Sequence, residues 1–227
     1  MLNKPLHKKV LIQILKSIYS DSTLGPALGF KGGTAAFMFY NLPRFSVDLN
    51  FDLLNGDKED LILSKMPKIL GKFGSVKEAV KKRFTLFFLL NYQKGNRLIK
   101  VEISRRPPGS AFEVKHFLGI PMQVIKLPDM VAGKLSALIT RLKFAPRDVF
   151  DVWFFFKNNL EVNWSAVHKQ TKLTKPTALG RSIQIVANIK NNQLLQGLGE
   201  LVDEKQKDWI KNHLKDEVLF LLKLAQS

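Results

Sequence analysis

The stretch KGGTAAFMFYNLPRFSVDLNFDLL, Lys31 to Leu54, sets a double glycine and a threonine shortly ahead of an alternating run. Phe45, Val47, Leu49, Phe51 and Leu53 are apolar, while Arg44, Ser46, Asp48, Asn50 and Asp52 between them are polar. A period of two puts each set on its own face, so the pattern predicts a half-buried strand over residues 44–54. Side chains two residues apart on one face are separated by about 6.7 Å, so Asp48 and Asn50 can converge on a single ion. Asp52 lies about 13 Å from Asp48 on a regular strand, too far to share that ion, and is expected on a solvated sheet face.

Gly32, Gly33 and Thr34 lead into a short helix expected over residues 34–40. The first N–H groups of a helix have no intrahelical partner, and with the helix dipole they attract an anion. Glycine removes the side chains that would keep a phosphate away. A plain turn with Thr34 as N-cap is the competing reading. Hard oxygen ligands completed by substrate phosphates are the surroundings magnesium prefers. A third oxygen donor has to come from another strand, and Glu102 stands on the polar face of NRLIKVEIS, opposite Ile99, Val101 and Ile103.

The rest of the composition narrows the classes. At 227 residues, 45% hydrophobic and 24% charged, the chain is of ordinary globular type and can bury a real core. It has no cysteine, which excludes disulfides and thiolate metal sites, and its four histidines are scattered without zinc spacing. The first twenty residues form an expected amphipathic helix and do not have the pattern of a signal peptide. No apolar run reaches the length of a membrane span, so a cytoplasmic protein with no membrane partner is expected. Lys and Arg number 36 against 19 Asp and Glu, an excess that favours a polyanionic partner such as nucleic acid.

Along the chain, Leu24–Gly29 has the composition of a Gly/Pro loop, and residues 57–73 form an expected helix with Asp57 as a possible cap. VKKRFTLFFLLNYQ and NRLIKVEIS form a predicted hairpin through Lys94, Gly95 and Asn96, and further short strands are expected around Gly119 and Pro121. From Pro128 the pattern turns helical. Val131, Leu135, Leu138 and Leu142 fall on one predicted core stripe, Pro146 opens another helix, and helical segments follow near 178–195 and 205–225. The expectation is an α+β chain, with residues 1–126 as a mixed-sheet core and 127–227 as a helical domain.

KGGT…RFSVDLNF resembles the first motif of the AbiEii/AbiGii nucleotidyltransferase toxins, within the DNA polymerase β-type nucleotidyltransferase superfamily. IKVEI (Ile99–Ile103), MVAGKLSALITR (Met130–Arg141) and RDVFDVWFF (Arg147–Phe155) resemble the family's later motifs, in the same order. The resemblance implies a polymerase β-type mixed sheet with flanking helices, followed by a C-terminal helical region that contributes Lys134 and Asp148 to the site. It implies that Gly32, Gly33, Thr34, Lys134 and Arg141 hold the nucleotide. It implies Asp48, Asn50 and Glu102 as ligands of Mg2+ or Mn2+, with an NTP as substrate. Asp48, Glu102, Lys134 and Asp148 would then be the catalytic set, with Glu102 a ligand or the base for the incoming hydroxyl. Asp151, four residues after Arg147, is held as structural.

The resemblance also implies an RNA acceptor, tRNA above all, and a cognate antitoxin protein. Lys77, Lys81, Lys82 and Arg83 before the hairpin, and Arg105 and Arg106 after it, are the candidate RNA contacts; a solvated basic face is the competing reading. The family has a carboxylate where Asn50 stands. The alternative is therefore a catalytically impaired module that binds nucleotide or RNA.

Overall fold

The computed structural model describes residues 2–226. The chain forms two compact units, one of Met1–Asn41 and Phe45–Lys126, the other of Leu42–Arg44 and Leu127–Ser227.

The first unit opens with α1 (Lys4–Tyr19), capped by the Asn3 side chain on Leu6 N–H, with Pro5 in its first turn. Its apolar stripe, Val10, Leu11, Ile14, Leu15 and Ile18, is buried. Leu24–Gly29, expected as a loop, is a four-residue turn of helix, α2 (Leu24–Ala27), running into β1 (Leu28–Lys31). Tertiary burial of Leu24, Ala27 and Leu28 outweighs the loop propensity of the glycines and proline. Then come α3 (Gly32–Phe39), β2 (Leu49–Leu53) and α4 (Glu59–Leu70). The helix expected over 57–73 is shorter, and Asp57 does not cap it. Asp57 lies in a 3-10 turn over Gly56–Lys58, where its own N–H donates to Asn55.

Five more strands follow: β3 (Ser75–Lys81), β4 (Thr85–Asn91), β5 (Ile99–Ser104), β6 (Phe112–Phe117) and β7 (Ile120–Ile125). They complete one seven-stranded sheet in the order β3-β4-β5-β2-β1-β7-β6. β2 runs parallel to β5 and β1 parallel to β7, while the other neighbours are antiparallel. The predicted β4–β5 hairpin forms, with Gly95 at φ 82° in its loop. Ile99, Val101 and Ile103 are buried on one face as their alternation requires. The first arm of that hairpin is itself split at Lys82–Phe84, which creates β3 as a separate edge strand. Lys77 and Lys81 on β3 are exposed, and charged residues blunt such an edge against pairing with another chain.

The second unit is helical: α5 (Leu127–Thr140), α6 (Pro146–Lys157), α7 (Trp164–Thr171), α8 (Lys175–Ala187), α9 (Glu204–Asn212) and α10 (Leu214–Leu224). Val131, Leu135 and Leu138 are buried, but Leu142, placed on the same stripe by its spacing, is fully exposed. α5 ends at Thr140, and beyond a helix end its period no longer fixes direction. Trp153 packs against Trp209 with ring centroids 4.4 Å apart, and its indole N–H donates to Glu217 at 2.8 Å. No helix among the described residues is long and apolar enough to cross a membrane.

Candidate active site

The predicted site residues fall into two groups, one within each unit. In the sheet unit the decisive element is the alternating run. Only Leu49–Leu53 is regular strand, and residues 44–48 approach it as an irregular segment. The polar face is not uniformly solvated. Arg44 and Ser46 are buried, and Asp52 is 5% exposed, so the solvated face expected at Asp52 is absent. Each has a partner: Asp52 accepts from Lys31 Nζ at 2.5 Å, Ser46 Oγ lies 2.9 Å from Thr34 Oγ1, and Arg44 is paired with Asp151. Asp48 and Asn50 alone keep partial exposure on that face. Neither the Asp48 nor the Glu102 carboxylate makes a hydrogen bond or ion pair among the described residues.

The parallel register sets Asn50 directly beside Glu102, so both side chains leave the sheet on the same face. Gly32, at φ 81°, lies against Asn50 on the other side. A Cβ built on Gly32 would come within 3.1 Å of Asn50 Cβ and Nδ2, so both the conformation and the close approach require glycine. α3 begins at Gly32 with no side chain capping it, which leaves its first N–H groups open to an anion. Thr34 is not an N-cap. It is the third residue of α3, fully buried, and its hydroxyl donates to the Asp48 carbonyl at 2.5 Å. Its side chain fixes the backbone at Asp48, and only its N–H remains for a phosphate.

His7 holds the same segment from the other direction. Its Nε2 donates to the Val47 carbonyl at 2.9 Å, which leaves Nδ1 to accept from Tyr92 Oη at 3.0 Å. Burial lowers the His7 pKa below its ordinary value, against the opposing effects of the Val47 hydrogen bond and of Asp48. The fold therefore prefers neutral imidazole. The stability this contributes is present above about pH 6.5 and is lost as pH falls through the lowered folded value. Urea denaturation is expected to give a lower unfolding free energy at pH 5.5 than at pH 7.5, with that difference reduced in His7→Gln. An equal difference in the variant would assign the pH dependence to other groups.

In the helical unit, Lys134 on α5 and Asp148 and Asp151 on α6 form a buried charge cluster. Asp151, with no exposure, accepts from Arg44 Nε at 2.6 Å and Nη2 at 2.7 Å, and pairs with Lys134 Nζ at 2.7 Å. Burial raises its pKa, but the charges and hydrogen bonds of Arg44 and Lys134 outweigh that, so Asp151 stays below the usual carboxylate range. Asp148 differs. It lies 3.9 Å from Lys134 Nζ and 2.8 Å from Arg141 Nε, close enough for ion pairs. Yet it is 1% exposed and neither carboxylate oxygen takes a hydrogen bond. Asp148 also lines a cavity of about 210 Å³ together with Arg141 and Arg181.

Of the basic residues singled out before and after the hairpin, Lys81 and Arg105 both grip Glu59. Arg105 further donates to the carbonyls of Lys82 and Arg83. Their hydrogen bonds lower the Glu59 pKa, Arg105 contributing most. Lys82 lies over the Phe87 ring, and Lys77, Arg83 and Arg106 make no ion pair among the described residues. The role of Arg105 was not legible in the sequence, because Glu59 is 46 residues away.

A mixed sheet that sets an uncapped glycine turn beside oxygen donors on two adjacent strands, with a helical unit following, has the architecture of a nucleotidyltransferase. The chain is similar to two solved structures: a putative nucleotidyltransferase from H. pylori (20% identity, TM-score 0.61, covering 98% of this chain and 94% of that one) and JHP933 from Helicobacter pylori (19% identity, TM-score 0.62, covering 100% and 94%). No curated protein matches the chain. The model of the nucleotidyl transferase AbiEii toxin family, from type IV toxin–antitoxin systems, matches residues 13–217, and the chain belongs to that family. It is accordingly a nucleotidyltransferase of the toxin–antitoxin class.

Proposed function

We propose that this chain transfers a nucleotide from an NTP to an RNA acceptor, tRNA, as the toxin partner of a cognate antitoxin protein. The observation that carries the reading is a pair of carboxylates without partners among the described residues, Asp48 two residues before Asn50 and Glu102 beside it in register, with the uncapped start of α3 against Asn50. Among the described residues no three His, Cys, Asp or Glu side chains cluster to hold a metal. Two carboxylates and an amide nevertheless fit magnesium, which takes one or two carboxylates and completes its shell with phosphates and water. Asp48, Asn50 and Glu102 would hold it, and a bound divalent cation supplies neutralisation of phosphate charge.

The chain's own groups account for the rest. The N–H groups of Gly32, Gly33 and Thr34 cradle phosphate oxygens, helped by the dipole of α3. Glu102 accepts the proton of the attacking hydroxyl or orients it. Within the helical unit, Asp148 positions Lys134 and Arg141, two cations of the kind a phosphate pairs with. The excess of basic over acidic side chains suits an RNA acceptor better than a small neutral one.

The test is incubation of the purified protein with magnesium, each labelled NTP in turn, and total tRNA. Label entering RNA with one NTP is the expected result. Asn50 favours a second reading, a module that binds nucleotide or RNA without chemistry. Tight nucleotide binding with no transfer by wild type, and transfer restored in Asn50→Asp, would select it.

A further inference from the structure

Lys82, Arg83 and Phe84 form the turn between β3 and β4, and the turn is held rigidly. Lys82 N–H donates to the Thr85 carbonyl at 2.8 Å, and Arg105 N–H donates to the Phe84 carbonyl at 2.9 Å. Arg105 Nη1 donates to the carbonyls of Lys82 and Arg83 at 2.9 and 2.8 Å, while its Nε is anchored on Glu59. The turn presents Phe84 to solvent at 43% exposure. Two guanidinium groups lie on that ring: Arg83 at 4.8 Å and Arg106 at 4.5 Å from its centroid. Neither pairs with a carboxylate among the described residues. The nearby acids are already engaged, Glu59 by Lys81 and Arg105, and Glu78 by Lys82 at 3.6 Å.

Two uncompensated guanidiniums converging on an exposed aromatic ring lack an anion and offer planar surfaces. A nucleic acid strand answers both needs: phosphates pair with the guanidinium forks, and an unpaired base stacks on a guanidinium plane or on the phenyl edge. An acidic protein segment would meet only the charge and leave Phe84 without a role. Arg106 follows Glu102 by four residues, so the two Cα atoms lie within about 14 Å of each other. We propose that Arg83, Phe84 and Arg106 form a stacking platform for an unpaired nucleotide of a single-stranded RNA end whose terminus reaches the Asp48–Glu102 site. This rests on the RNA-acceptor reading above and names where the acceptor is gripped. Because the turn is preorganised, little ordering is needed on binding.

The test is fluorescence anisotropy of the full chain with a labelled twelve-nucleotide single-stranded RNA, without NTP or magnesium, at several salt concentrations. A duplex RNA of the same length and polyglutamate serve as comparison probes. Arg83→Gln/Arg106→Gln is expected to weaken single-strand binding about tenfold and to lower the salt slope by about 1.4, the share of two phosphate contacts. Phe84→Leu is expected to weaken it at least about fivefold with the slope unchanged, because stacking carries no charge. Lys9→Gln/Lys16→Gln, on α1, is expected to leave the affinity within about twofold. Circular dichroism should show all three variants folded, since each change is at an exposed position.

Wild-type affinity in both platform variants would overturn the proposal, as would duplex binding equal to single-strand binding. Polyglutamate binding as tight as RNA, and lost in the same variants, would overturn it in favour of an acidic protein partner. The two readings fail separately. RNA held through Phe84 but never labelled would keep the platform and sink the acceptor reading. Transfer to RNA with binding indifferent to all variants would do the reverse.

Discussion

Asp48→Ala is expected to lower nucleotide transfer by at least about a hundredfold while leaving stability within about 0.5 kcal/mol of wild type. The two effects separate because of where Asp48 stands. Its carboxylate has no hydrogen bond or ion pair among the described residues, so the fold loses nothing specific when it goes. The backbone there is fixed by other groups: Thr34 Oγ1 holds the Asp48 carbonyl and His7 holds the Val47 carbonyl. The arrangement of Gly32, Asn50 and Glu102 should therefore survive the substitution. Parallel label-transfer and thermal-melt measurements check both halves. Full activity in the variant would remove Asp48 from the catalytic set, and a collapsed melt would make it structural. Asn50→Asp run beside it is expected to raise transfer, since a carboxylate binds a divalent cation more strongly than an amide does. A loss of activity there would mean that the amide against Gly32 is itself required.

Asp151→Asn is expected to destabilise the helical unit by about 3–5 kcal/mol, the cost of breaking a buried ion pair from one side. The Arg44 side chain is only 2% exposed and Lys134 only 12%, and both lean on this one carboxylate. Neutralising it leaves a guanidinium out of water with its bidentate acceptor gone, and Asp148 at 3.9 Å is too far to replace the contact with Lys134. A loss of that size is a large part of the 5–15 kcal/mol by which an ordinary domain is stable. Urea denaturation followed by circular dichroism and by tryptophan fluorescence reads it, since Trp153 and Trp209 both lie in this unit. A smaller effect is expected three residues earlier on α6, at Asp148. Its oxygens receive no hydrogen bond and its nearer ion-pair partner, Arg141, is 41% exposed, so Asp148→Asn should cost less than Asp151→Asn, about 1 kcal/mol. Equal destabilisation by the two substitutions would show that Asp148 is held for folding, as Asp151 is.

The alternating run shows how far sequence reading reached. The period of two correctly buried Leu49, Phe51 and Leu53, and Asp48 with Asn50 stood out by residue type. Treating the whole polar face as equivalent did not hold. Arg44, Ser46 and Asp52 are buried because each finds a partner elsewhere in the chain, and a strand period carries no information about such partners. The β3–β4 turn was hidden for a related reason. Thr85 to Leu90 and the basic run before it have one continuous β composition, and only the pairing of β3 with β4 reveals the break that exposes Phe84.

By itself the sequence determined the kinds of group present: a glycine turn ahead of a short helix, oxygen donors at strand spacing, a basic excess and a helical second half. These depend on local composition and periodicity, which are written along the chain. The tertiary structure alone decided which charged groups are spent on folding and which are left over. Asp151, Asp52 and Glu59 are occupied by cations far away in sequence, while Asp48, Glu102, Arg83 and Arg106 have no ion-pair partner among the described residues. A side chain's availability depends on its partners, and partners are fixed by burial and register in three dimensions.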